Sequence, residues 1–83
     1  MRRKGEELNP HERELLGQIV AAGERGIHGW ALRSVNDAQR GTLYRRLAAL
    51  RRFGYVEEWR EDTERQYRLM QRATTKGREA VHG

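Results

Sequence analysis

Residues Asn36–Val56, NDAQRGTLYRRLAALRRFGYV, decide how the rest of the chain is read. Asn36 and Asp37 offer N-cap oxygens, Gly54 marks a C-terminal stop, and Leu43, Leu47 and Leu50 recur at i, i+4 and i+7. That spacing predicts a helix over about residues 37–53, roughly 24 Å long at about 1.5 Å per residue. With successive residues about 100° apart, the three leucines fall within about 40° of one meridian. The opposite side carries Gly41, Arg45, Ala48 and Arg52, flanked by Thr42, Arg46 and Ala49. One face therefore suits a core. The other is cationic, with small residues that permit close approach to a surface.

Upstream, residues 1–8 read as a flexible basic arm whose cations are Arg2, Arg3 and Lys4. Such a tail is either simply solvated or lies against phosphates. Residues 9–83 read as one domain. Asn9 is placed as an N-cap, Pro10 takes the first helical position, and Glu12 completes a capping box. Leu15, Leu16, Ile19 and Val20 give that first helix its buried stripe, and Gly23 ends it. A turn and a short extended piece around Ile27 follow. Trp30–Val35 then predicts a short second helix, joined to the long one by the polar turn SVNDAQ. Two helices with a tight polar turn make a helix-turn-helix.

Downstream, Tyr55–Arg60 and Arg65–Met70 predict two strands around a turn at Glu61–Glu64. In a regular strand Tyr55 and Trp59 share a face while Val56 takes the other, which requires a bulge or burial on both sides. Thr75–Val81 predicts a final short helix capped by Thr74 or Thr75. The expected fold is α+β, mostly α: a winged helix-turn-helix with three helices, a two- or three-stranded wing, and a short C-terminal helix.

Composition narrows the chemistry. The chain has 83 residues and a formal charge of +5, with fifteen arginines against two lysines. Arginine's planar fork suits phosphates and guanine edges better than lysine's point charge does. Without cysteine there is neither a disulfide framework nor a thiolate metal site, and the three histidines show no metal-ligand spacing. No nucleophile–histidine–carboxylate constellation surrounds Ser34, and no glycine-rich phosphate loop is present. The chain is read as not an enzyme, with no cofactor and no metal. Its longest apolar run, Ile19–Ala22, is far too short for a membrane span. A cytoplasmic, nucleoid-associated protein, bacterial or phage-encoded, is expected.

The stretches LLGQIVAAGERGIHGWALRSV, GTLYRRLAALRRFGYVEE and RQYRL…TTKGREAV resemble the PadR-type winged-helix transcriptional regulators. His28-Gly29-Trp30 and Gly41-Thr42-Leu43-Tyr44 carry most of the likeness, which spans about 70 residues. Trp30 stands where the family usually has tyrosine. Four residues, Met70–Ala73, intervene between Tyr67-Arg68-Leu69 and the segment TTKGREA, where the family runs nearly straight on. The short tail reads as a truncated relative of proteins that dimerise through a longer C-terminal helix.

The resemblance implies a sequence-specific regulator of transcription, a repressor, acting as a homodimer on double-stranded DNA. An α-helix fits the major groove with its N-terminal residues nearest the bases, and two half-sites lie about 34–36 Å apart. The residues expected to touch DNA are Gln39, Arg40, Gly41, Thr42, Tyr44, Arg45 and Arg46 on the long helix, and Arg65 and Arg68 on the wing. Five acids, Glu57, Glu58, Glu61, Asp62 and Glu64, oppose entry of that wing into a phosphate-lined groove. They motivate an alternative, a winged-helix protein-interaction or assembly module. A third reading is an architectural or excision-type DNA-binding protein of a phage or mobile element. Trp30 and Trp59 are assigned first to the core, and only second to a pocket for a small-molecule effector.

Overall fold

Asn9 starts the first helix through two reciprocal bonds. Its Oδ1 accepts from the Glu12 amide at 2.8 Å, and Glu12 Oε1 accepts from the Asn9 amide at 2.9 Å. The helix, α1 (Pro10–Ala21), buries Leu15, Leu16 and Ile19. It stops where Gly23 turns to a φ of 75°. In this computed structural model the described residues are 8–32 and 40–82, with backbone only at Trp30 and Arg40. The expected basic tail at residues 1–7, the Asn36–Asp37 cap and Gln39 lie outside them. Leu8, assigned to the arm from sequence, is 5% exposed and belongs to the core.

The fold is α+β. Among the described residues three α-helices, α1, α2 (Arg40–Arg52) and α3 (Thr75–His82), pack with one antiparallel sheet. Its strands are β1 (Ile27–His28), β2 (Val56–Asp62) and β3 (Tyr67–Ala73), in the order β1-β3-β2. Leu43, Leu47 and Leu50 meet Leu8, Leu15, Leu16, Ile19, Leu32, Tyr55, Val56 and Ala73 in one apolar cluster. No described helix is long and apolar enough to cross a membrane.

Four local expectations are corrected. Over the described part of the α-helix expected at Trp30–Val35, Gly29–Ala31 form a 3-10 turn, with the Leu32 amide donating to the Gly29 carbonyl at 3.2 Å. Leu32 then takes extended backbone (ψ 131°) and enters the core. The part of that helix beyond Leu32 lies outside the described residues.

The hairpin turn falls two residues later than expected, because pairing continues to Asp62↔Tyr67. Thr63 closes the loop: its amide and hydroxyl donate to the Gln66 carbonyl at 2.7 and 2.6 Å. Met70–Ala73 is therefore the inner end of β3 and not a linker, with Gln71 opposite Ile27 on one side and Glu58 on the other.

Tyr55 precedes the strand, so Tyr55 and Trp59 need not share a face. Val56 turns to the core at 4% exposure. Trp59 lies on the other side of the sheet, over Gly26 and beside the Arg72 guanidinium, 5.0 Å from its ring centre. Its assignment to the core is thereby corrected. The first tryptophan's side chain is outside the described atoms.

Candidate nucleic-acid interface

The leucine stripe fixes which side of α2 is left over. Leu47 and Leu50 are fully buried and Leu43 nearly so, which leaves Gly41, Arg45 and Arg52 exposed on the far side. Thr42, Arg46 and Ala48 are half-buried along its margins. Arg45 and Arg52 make no hydrogen bond or ion pair with another described residue, so both guanidinium forks face solvent. Gly41 has open space where a Cβ would stand, so its exposure is not forced by a neighbour.

The C-terminal end of α2 is anchored twice. Gly54 (φ 82°) lets its amide reach the Arg51 carbonyl and the Tyr55 amide reach Leu50, each at 3.0 Å, a Schellman closure. The start of α3 then caps the carbonyls that follow. Lys76 Nζ donates to Phe53 at 2.8 Å, the Thr74 hydroxyl to Gly54 at 2.7 Å, and the Thr74 amide to Tyr55 at 3.0 Å. Thr74 is also the N-cap of α3, accepting from the Gly77 amide at 3.0 Å. These contacts tie the end of α2 to the sheet and to α3, and the leucines hold its inward face.

The β2–β3 hairpin stands across a groove from α2. The groove encloses about 520 Å³ between Tyr44 on the helix side and Tyr67, Arg68 and Leu69 on the hairpin, with His28 and Gln66 completing its walls. Tyr44 also packs on the core and lies beside Gly29. Tyr67 is 57% exposed and carries the Arg60 guanidinium 4.4 Å from its ring centre. The structure thus gathers Tyr44 and Arg68 on one groove, and places Arg65 at the exposed hairpin loop. Arg45 lies on the solvent side of α2, and Arg46 is half-buried beside it. Gln39 and the Arg40 side chain are outside the described atoms.

The hairpin's acids are mostly answered within the fold. Glu57 pairs with Arg72 at 2.6 Å, Glu58 with Arg51 at 2.7 Å, and Asp62 with Arg60 at 2.8 Å. Glu61 stands opposite Arg68 in the strand register. Counting acids along the hairpin sequence missed this, because two of the partners, Arg51 and Arg72, come from α2 and from the inner end of β3. Sequence reading also missed Arg60, His28, Gln66 and the exposure of Tyr67. Only an Arg-aromatic spacing across the hairpin could have signalled the Arg60–Tyr67 stack, and that spacing depends on register.

Among the described residues no cluster of three or more His, Asp or Glu side chains is arranged to hold a metal ion. Comparison with protein-family models, curated proteins and solved structures returned no match.

Proposed function

We propose that this chain is a winged helix-turn-helix protein that binds double-stranded DNA in the cytoplasm and regulates transcription as a homodimer, with α2 in the major groove and the β2–β3 hairpin as its wing. One observation carries the reading: the arginine-bearing side of α2 faces solvent because the leucines take the other side inward. An exposed cationic helix presenting glycine and threonine in its first turn suits the groove, with Thr42 and Arg45 toward base edges and Arg46 toward its wall. Arg65 and Arg68 serve as backbone contacts, which position a protein without reading sequence. Pairing of Glu57, Glu58 and Asp62 with Arg72, Arg51 and Arg60 offsets part of the repulsion that an acidic wing would otherwise bring. The resemblance of Gly41-Thr42-Leu43-Tyr44 and His28-Gly29-Trp30 to PadR-type regulators supports the same reading and suggests repression.

Selection of genomic fragments on the immobilised protein, followed by binding of the selected fragment across a salt series, tests it. About six to ten phosphate contacts in a dimer give a slope of log K against log salt of about −5 to −9. Arg45→Ala and Arg46→Ala weaken binding while the fold survives. Retained affinity at 100 mM salt in both variants rejects this face of α2. No retention of DNA at all favours the assembly module instead, and bent fragments in a phasing assay favour the architectural reading.

A further inference from the structure

Among the described residues Gln71 is the one polar side chain sealed in the core, at 0% exposure. It sits in the central strand, between Ile27 of β1 and Glu58 of β2. Its Nε2 donates to Glu58 Oε2 at 2.7 Å, and the same oxygen accepts from Arg51 Nη1 at 2.7 Å. Among the described residues nothing donates to its Oε1. Swapping the amide's ends gives no relief, since it would turn an oxygen toward the Glu58 carboxylate. A buried acceptor without a donor is destabilising, and an unbranched apolar side chain of similar length avoids that loss.

What Gln71 contributes is direction. Contacts among Leu43, Leu47 and Leu50 hold α2 down but are non-directional, so they set its tilt weakly. The chain Gln71–Glu58–Arg51 joins the middle of the sheet to the last turn of α2 by two short bonds with defined geometry. Arg51 and Thr42 are nine residues apart, about 13 Å along the axis, so a tilt of about 10° at the anchored end moves the first turn by about 2 Å. A recognition surface tolerates only about 0.5 Å.

We infer that Gln71 is a positioning residue: through Glu58 and Arg51 it fixes the angle of α2 against the β2–β3 hairpin, at the expense of fold stability. The angle itself is a property of the free protein. Its consequence for DNA rests on the function proposed above.

The chain has no cysteine, so Arg45→Cys with Glu64→Cys accepts a pair of spin labels cleanly. Pulsed dipolar spectroscopy then reads the helix-to-hairpin distance in the parent, in Gln71→Met and in Gln71→Leu. The expected result is a distribution shifted or broadened by about 1.5 Å in both variants, since position 45 lies six residues from Arg51, with melting temperatures at or above the parent's. Distances unchanged from the parent overturn the inference. So does a lowered melting temperature, which would make Gln71 an ordinary stabilising bond. In unlabelled protein Gln71→Met loses about tenfold in affinity for the selected DNA, and equal affinity of the two also overturns it. A parent that binds no DNA refutes the proposed function instead, and the label distances alone then decide this inference.

Discussion

Gly77→Ala sets two effects against each other. In a helix interior alanine is favoured over glycine by about 1 kcal/mol, so propensity alone makes the change stabilising. Gly77, however, is buried where α3 packs against the turn after α2 and against Leu16 of α1. A Cβ there would collide with the Tyr55 carbonyl oxygen and stand 3.0 Å from its carbon and 3.4 Å from Leu16 Cδ1. The oxygen cannot swing aside as a side chain could, because it already accepts from the Thr74 amide at 3.0 Å. Making room means moving α3, which stretches that bond and the Thr74 hydroxyl's bond to the Gly54 carbonyl. Overpacking costs about 1–3 kcal/mol and each weakened hydrogen bond about 1. The net expectation is a loss of about 2–4 kcal/mol, and in a domain this small about 10–30 °C in melting temperature. Thermal unfolding followed by circular dichroism measures it, with faster hydrogen exchange at the Thr74 amide, which donates to the Tyr55 carbonyl, as the local sign. A variant as stable as the parent, or more so, refutes the close crossing of α3 over the turn after α2.

Three smaller perturbations probe other parts of the fold. Asn9→Ala removes the capping box and is expected to destabilise by about 1 kcal/mol in urea unfolding; no change would mean α1 is held by packing alone. Leu47→Ala empties a fully buried site on α2 and should lose about 2–5 kcal/mol, a large share of the stability of so small a domain. Arg45→Ala leaves the melting temperature within a few degrees, because the side chain is exposed, yet makes the salt slope of DNA binding shallower by about 0.9 if that arginine meets a phosphate.

Helices were legible wherever periodicity and capping agreed. Asn9, Pro10 and Glu12 announce α1, and Leu43, Leu47, Leu50 and Gly54 announce α2 and its end. Strand limits were not legible, because they depend on register. Val56–Asp62 and Tyr67–Ala73 alternate poorly, since Glu58 and Gln71 face inward as a hydrogen-bonded pair where apolar residues would normally mark the core side. The same pair hid the role of Met70–Ala73, four residues that read as an insertion and instead form the strand between both neighbours. At the candidate site, the outward side of α2 could be read from the leucine spacing alone. The groove opposite Tyr44 could not, because Tyr67, Arg68 and His28 reach it only through pairing of β3 with β2 and β1. The apparent acidity of the hairpin misled for a related reason: its cationic partners are distant in sequence.

The measurement that bears most directly on the central claim is amide chemical-shift mapping of the labelled protein with a duplex from the selected fragments. Perturbations concentrated at Gly41, Thr42 and Arg45 on α2, with a second set at Arg65–Arg68, are the predicted result. Shifts confined to α1 and α3, or none at saturating duplex, would contradict the claim that the arginine side of α2 is the surface that meets DNA.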